Sequence, residues 1–369
     1  MHDTATMRRH IVEVVCLDEA DAPWLADCAF PVHHLGHGRS AYAYHAGLIP
    51  WLRSNARRYD AVIVHGLWLS IGRAVRLGLR HSGTPYYVYP HGMLDPYFKH
   101  AYPRKHLKKL IYWLLAERQV LAAARRVCFT CEEERLLARR TFPLARYREA
   151  VVSFGAADPP GDPSAQRAAF LTAFPQLRDR RLFLFLGRIH PKKGCDLLIE
   201  ALANVASLAP DLHLVIAGPD ADGWQAALHR RAEALGIAQR ITWTGMLRGE
   251  HKWGAFHAAE VFVLPSHQEN FGVAVAEALA CSVPVLITNR VNIWREIAAD
   301  EAGIVSNDDP AGIEALLRDW LTTPRERRSA MGLNARRCFL ERFEANLAAA
   351  RLLEVLTIAP DAPAGRPVA

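Results

Sequence analysis

At 369 residues and 41.2 kDa the chain exceeds one ordinary domain of about 100–200 residues and suits two, with a cleft between them as the expected place for a ligand. A hydrophobic share of 51% against 22% charged excludes global disorder, and no apolar run approaches the ~20 residues that cross a bilayer. The net charge of +7 is uneven: residues 1–155 hold 22 Lys and Arg against 13 Asp and Glu, whereas the remainder holds 23 against 25.

Strand-like runs in the first part are Ile11–Cys16, Ala61–His65, Pro85–Tyr89 and Arg126–Phe129, and helical patterns lie at Ala43–Arg57, Ser70–His81 and Pro103–Ala123. Phe154 to Pro163 is rich in Gly and Pro, lacks periodicity and reads as a linker. In the second series, strands Leu182–Leu186, His213–Ala217, Ile241–Thr244, Val261–Leu264 and Pro284–Thr288 alternate with helices Cys195–Leu208, Gly223–Leu235, Glu250–Ala259, Gly272–Cys281 and Trp294–Ala299. Ile358 to Ala369, dominated by Pro, Ala and Gly, reads as a disordered tail. The alternation predicts an α/β protein with parallel sheets, whose ligands collect at the carboxyl ends of strands. The expected domains are 1–155 and 156–340, with 341–369 as a helix returning to the first domain plus a tail.

Two turns carry the chemistry. After strand Val261–Leu264 the chain reads Pro265-Ser-His-Gln-Glu269-Asn270-Phe271-Gly272-Val273-Ala-Val-Ala-Glu277. Glu269 falls in the strand-to-helix turn, Gly272 can open a helix whose first N–H groups attract anions, and Glu277 follows about a turn and a half later. Carboxylates at both ends with free amides between suit a ligand with hydroxyls at each end and phosphate in the middle, as in a nucleotide sugar. The plain alternative is a Glu beside the helix dipole and a solvated Glu on the helix flank. The other turn is Leu186-Gly187-Arg188-Ile189-His190-Pro191-Lys192-Lys193-Gly194, where Gly187 permits close backbone approach and Arg188 with Lys193 can converge on a diphosphate. A basic surface turn is its plain alternative.

These two segments resemble the retaining glycosyltransferases of family 4, the group 1 glycosyl transferases, and the resemblance runs from about residue 10 to about residue 355. It implies a GT-B fold, in which two Rossmann-like doubly wound parallel-sheet domains face a cleft. It further implies that Arg188 and Lys193 neutralise the donor diphosphate and that Glu269 contacts hydroxyls of the transferred sugar. Amides around Asn270, Phe271, Gly272 and Val273 would hold sugar or phosphate, Glu277 the ribose hydroxyls, and Thr244-Gly245-Met246 would approach the base. In the first domain Val64-His65-Gly66-Leu67-Trp68 and Tyr89-Pro90-His91-Gly92-Met93-Leu94-Asp95-Pro96 are also similar to the family. His91 matches its cleft histidine, with His65 and Trp68 as candidate acceptor-side residues. A neutral imidazole at His91 can donate to a sugar hydroxyl or accept from the acceptor.

The implied reaction transfers a glycosyl unit, of hexosyl type, from a nucleoside diphosphate sugar to a hydroxyl of a glycan or lipid-linked acceptor, with retention, in surface polysaccharide or glycolipid assembly. Arg188 and Lys193 would stabilise the leaving group without a metal, and no cofactor is expected beyond the donor substrate. The basic excess centres on Arg104 to Trp113, where Leu107, Leu110, Ile111, Leu114 and Leu115 recur at helical spacing beside lysines and aromatics. Such a helix can rest on anionic lipid; its alternative is a core-facing stripe with solvated lysines. With no signal-peptide pattern and seven scattered cysteines, the expected location is cytoplasmic with reduced thiols, peripheral at the inner face of the membrane if the helix binds lipid.

Other readings are weaker. Cys128-Phe-Thr-Cys131 has no second Cys/His pair at zinc spacing and reads as strand running into helix. Asp220-Ala-Asp222 reads as a turn plus a helix cap rather than a metal site. Nucleic acid is not an expected partner because the basic charge comes without a recognition motif, and a redox enzyme is disfavoured by the lack of G-x-G-x-x-G after every candidate strand. Two departures from the family pattern stand out. No Gly occurs before Gly36, so the first domain is expected to lack the opening strand, Gly-rich loop and helix, and Val152-Ser153-Phe154-Gly155 stands where Pro-Asn usually precedes the Gly. A catalytically weak sugar-nucleotide-binding remnant is therefore the alternative to an active enzyme.

Overall fold

A computed structural model of the chain describes residues 10–357 other than 29 and 221. The tail expected from Ile358 onward and the first nine residues lie outside the described residues. The chain divides into two units: one takes in the chain up to Thr130, Arg135–Ser153 and the stretch from Ala345, the other Cys131–Glu134 and Phe154–Glu344.

The first unit holds β1 (Val14–Cys16), β2 (Val32–His34), β3 (Val62–His65), β4 (Tyr86–Tyr89), β5 (Arg126–Phe129) and β6 (Glu149–Val151). The last four make a parallel sheet in the order β3-β4-β5-β6, while β1 and β2, among the described residues, pair with each other, also in parallel. β4 is buried along its length, and Val88, Val127 and Phe129 of the central strands pack on Leu52, Val75, Trp113, Val120 and Leu121 from the covering helices. The helix Ala345–Thr357 also belongs to this unit, where Tyr87 donates from its hydroxyl to Leu356 O at 3.2 Å.

The second unit holds β7 (Arg181–Leu186), β8 (Leu212–Ala217), β9 (Ile241–Gly245), β10 (Val261–Leu264), β11 (Val285–Thr288) and β12 (Gly303–Ser306). They form one parallel sheet in the order β12-β11-β10-β7-β8-β9. The continuous apolar runs of β7, β8, β10 and β11 follow from burial on both faces, which right-handed helical crossovers impose on a parallel sheet. Strand order reverses between β7 and β10, and this switch point sets the turns after those two strands side by side.

Several expected elements change at their edges or interior. The strand expected from Ile11 begins at Val14, where Val14 N–H meets Pro31 O at 2.9 Å. The helix expected over Ala43–Arg57 shortens to Leu48–Asn55 plus a short 3₁₀ turn. The pattern over Pro103–Ala123 is α-helix to Tyr112, a π-turn over Trp113–Glu117, and α-helix again from Arg118 to Ala123. β2, β6 and β12 were not expected: each has three or four residues, and polar or small residues interrupt its apolar pattern. No residue of the helix Pro103–Tyr112 is fully buried: Leu110 packs partly against the first unit's core, while the rest of its apolar stripe stays exposed. Leu107, Ile111 and Leu115 are 61%, 55% and 72% exposed.

Candidate functional site

In the second unit the two anion-suited turns meet. His267 N–H donates to Lys192 O at 2.9 Å, and Gly194, left-handed at φ +69°, lies so close that a Cβ there would fall 2.2 Å from Pro265 O. Lys193 donates its ammonium to the Glu269 carboxylate, joining residues 76 apart in sequence. Glu269 is held by its backbone as well: its N–H donates to Arg290 O at 2.9 Å and its C=O accepts from Asn292 N–H at 2.9 Å. His267 shares a 2.6 Å hydrogen bond with Asp308, and that carboxylate raises the imidazole pKa, favouring the charged donor form.

The helix Val273–Ala280 starts at Gly272, left-handed at φ +75°; Val275 N–H makes the first bond of the turn, to Gly272 O at 2.8 Å, and the N–H groups of Val273 and Ala274 precede it without helical partners. Glu277 accepts from Lys252 Nζ at 2.9 Å; Lys252 comes from the helix Gly249–Ala258 and lies 3.9 Å from the Trp253 ring centroid. Val273 is exposed at the helix start, whereas the Phe271 side chain is buried against Phe154 and Phe343, so that residue has only backbone to offer a ligand. Arg188 is exposed and makes no ion pair among the described residues.

Three glycines close the ends of β7, β8 and β9. Gly187 N–H reaches Ala217 O at 2.9 Å, and Gly218 N–H reaches Gly245 O at 2.8 Å. At Gly218 a Cβ would lie 1.8 Å from Gly187 O, so only glycine lets these strand ends approach. Thr244, Gly245 and Met246 follow on the same side, with Met246 exposed. The arrangement thus offers bare backbone at three strand ends, helix amides at a fourth, one exposed guanidinium and two Lys–Glu pairs. An anion with flanking hydroxyls can take over the lysines and leave the carboxylates to accept from its hydroxyls.

In the first unit His65 ends β3 and His91 follows β4 by two residues. His65 Nδ1 and His91 Nε2 are 2.9 Å apart, and the rings stack at 5.1 Å with 15° between planes. Tyr89 stacks on both. His91 is left-handed at φ +53° and, chiefly through burial and then the nearby His65, its pKa falls to about 4. His65 is accessible at its edge, yet protein crowding lowers its pKa as well. Both rings are therefore neutral at pH 7 and share one hydrogen bond. Trp68 packs beside Phe142 and beneath Lys109 Nζ, which sits 4.9 Å from its centroid.

The discounted signals resolve structurally. Cys128 and Cys131 are buried, and burial pushes the Cys128 thiol up to about 12. Asp220 accepts from Trp224 N–H at 2.9 Å and Gln225 N–H at 3.1 Å, which is a helix cap. Sequence reasoning missed Lys252 and the buried Glu117. The first carries no local signal, whereas Glu117 stands four residues after Trp113 and three before Val120, a carboxylate on an apolar stripe.

Both units resemble known proteins. Residues 5–155 match the Glycosyl transferase 4-like domain, and residues 172–338 match Glycosyl transferases group 1. A D-inositol 3-phosphate glycosyltransferase of Streptomyces avermitilis is 30% identical over 288 residues; the match covers 76% of this chain and 61% of that relative's length. Among solved structures, Anabaena Alr3699/HepE in complex with UDP and glucose superposes with a TM-score of 0.72 at 16% identity, over 94% of this chain and 91% of that one. WaaG, a glycosyltransferase involved in lipopolysaccharide biosynthesis, gives 0.65 at 19% identity over 95% and 92%. The first unit thus matches a Glycosyl transferase 4-like domain and the second Glycosyl transferases group 1, and the fold is GT-B-like.

Proposed function

We propose that the chain transfers a glycosyl unit, of hexosyl type, from a nucleoside diphosphate sugar to a hydroxyl of a glycan or lipid-linked acceptor, with retention and without a metal. The observation that carries this reading is the meeting of Lys193 and Glu269 at the switch point, beside the Gly272 helix start and the Lys252–Glu277 pair. In this mechanism the bond from the anomeric carbon to the diphosphate oxygen breaks and a bond to the acceptor oxygen forms on the same face. The acceptor proton passes to the leaving diphosphate, whose charge Lys193 and Arg188 offset. The amides at Gly272 and Val273 hold the phosphate, Glu269 orients the sugar and Glu277 the ribose. His91, neutral and fixed by His65, serves as a hydrogen-bonding group toward the sugar or the acceptor. The Anabaena relative's UDP and glucose complex supports a UDP-linked donor.

The acceptor reading rests on a different observation. Leu107, Ile111, Leu114 and Leu115 are exposed in a row, flanked by Arg104, Lys105 and Lys108. An apolar stripe bordered by cations matches the interface of an anionic bilayer, from which a lipid-linked acceptor is presented. No described helix is long and apolar enough to cross a membrane. The proposed setting is peripheral, at the cytoplasmic face, in surface polysaccharide or glycolipid assembly; WaaG's role in lipopolysaccharide biosynthesis supports it.

A thermal-shift panel of UDP- and GDP-sugars followed by product detection tests the function. Stabilisation with transfer is expected; no stabilisation by any nucleotide sugar defeats it, and stabilisation without transfer to any offered acceptor favours a binding remnant. Flotation with anionic vesicles is expected to retain the chain and to lose it when the four cations from Arg104 to Lys109 are neutralised; unchanged flotation defeats the membrane reading.

A further inference from the structure

Glu117 is 1% exposed, yet no cation pairs with it among the described residues. It closes the π-turn Trp113–Glu117 on the face that also carries Trp113, Val120 and Leu121 into the core. Burying a carboxyl there is costly, and desolvation pushes its pKa up to about 7. The group does one visible thing: Glu117 Oε2 accepts the Trp68 N–H at 3.3 Å.

That N–H has no place in the sheet. The last ladder bond of β3 runs from Gly66 N–H to Tyr89 O at 2.8 Å, after which the chain turns away. Trp68 is left-handed at φ +71°, a conformation bulky residues rarely take and one that persists only where surroundings enforce it. Three side chains fasten this loop. Leu67 N–H meets Met93 Sδ at 3.1 Å, Trp68 N–H meets Glu117, and the Tyr112 hydroxyl donates to Leu69 O at 3.2 Å. Two of the three come from the segment around the π-turn. Gly72 lets the neighbouring helix approach, since a Cβ there would lie 3.6 Å from Glu117 Oε1 and 3.1 Å from Val120. The loop so fastened starts at His65, the hydrogen-bond partner of His91.

We propose that Glu117 is a positioning residue for the histidine pair: by accepting the Trp68 N–H it locks the 66–69 loop in the backbone geometry that sets His65 against His91. The link to transfer rests on the function proposed above for His91, whereas the link to His65 does not. The titratable and charged groups around Glu117 are Tyr112 on its own segment, Tyr86 on β4, Arg73 and Arg76 on the helix Ser70–Gly78, and Lys109 above the Trp68 ring. Burial raises both tyrosines from an ordinary value of 10.0 and lowers Lys109 from 10.5, and the His65 and His91 rings, lowered from 6.5, also titrate at the loop, so it is the loss of the step near 7 in Glu117→Gln that assigns it to Glu117.

The test compares Glu117→Gln and Glu117→Leu in the full chain, reading the ring nitrogens of His65 and His91 by NMR, UDP affinity, and kcat with KM. Glu117→Gln keeps an acceptor oxygen and is expected to retain the shared ring hydrogen bond. Glu117→Leu is expected to lose it and to lower kcat about tenfold or more with UDP affinity unchanged, as misplacement of a reacting group does. In the wild type the Trp68 amide and the His65 ring are expected to shift together with a midpoint near pH 7, and Glu117→Gln abolishes that step. An intact ring hydrogen bond in Glu117→Leu overturns the proposal. If Glu117→Leu fails to fold, a Trp68 amide that titrates without the His65 ring following overturns it instead. The ring readout needs no turnover, so a wild-type chain that transfers no sugar defeats the function and leaves this test standing.

Discussion

The two units treat their polar groups in opposite ways. In the second, the carboxylates of Glu269 and Glu277 are each met by a lysine, so charge is kept at the strand ends and is ready to be exchanged for that of a ligand. In the first, His65 and His91 stack with Tyr89, Glu117 lies on a buried apolar face, and desolvation by the surrounding protein drives all three toward neutrality. The lesson is about chemistry suited to place: a site for a diphosphate must hold charge, whereas a site that hydrogen-bonds neutral hydroxyls works best with neutral donors and acceptors. Backbone follows the same division. Close glycine packing builds the second site, and left-handed Trp68 and His91, held by neighbours, build the first.

The largest expected effect breaks the glycine contact of the second unit. Gly218→Ala forces a Cβ to within 1.8 Å of Gly187 O at φ +148°, and it is expected to cost about 3 kcal/mol or more in urea unfolding. Gly83→Ala in the first unit, also left-handed at φ +82° but with nothing within 4 Å, is expected to cost only about 1–2 kcal/mol. Equal losses would mean that conformation and not close approach explains both. Next, Lys193→Ala is expected to reduce turnover about 100-fold while the thermal transition persists; near-normal turnover would remove the charge argument for the second unit. Glu277→Gln is expected to weaken UDP binding about tenfold by calorimetry, and an unchanged affinity would separate the Lys252–Glu277 pair from the ligand.

The smallest net effect is on stability against pH, because the first unit carries opposing slopes. His91 binds a proton near 6.5 when unfolded and near 4 when folded, so its contribution is lost as pH falls through that window. Glu117 holds its proton to about 7 when folded and releases it near 4.5 when unfolded, so its contribution is lost as pH rises from 4.5 through 7. Unfolding at pH 5, 6 and 7 is expected to show a shallow wild-type dependence. His91→Gln should remove the loss on the acid side, and Glu117→Gln the loss on rising pH; unchanged slopes in both would show that burial does not govern these groups.

Much of the fold was legible because it is written locally. The apolar runs of β7, β8, β10 and β11 announce strands buried on both faces, and Gly and Pro mark their ends. β12 escaped because an edge strand buries less and needs no continuous apolar run, and the π-turn at Trp113–Glu117 escaped because helical periodicity continues through it with one residue displaced. Of the candidate site, the turns at Gly187–Gly194 and Glu269–Glu277 were visible from residue types at strand ends, whereas their contact through Lys193 and Glu269 was not.

By itself the sequence determined the alternating α/β order, the basic first part, and the identity of the two anion-suited turns, because periodicity, composition and turn chemistry act over a few residues. Only the tertiary structure decided which charges meet, that Leu107, Ile111, Leu114 and Leu115 face outward, that Gly218 must lie against Gly187, and that a buried Glu117 fastens the loop beside His65. Each of these depends on which neighbour long-range packing places at van der Waals or hydrogen-bond distance, a relation between segments tens of residues apart that no local pattern encodes.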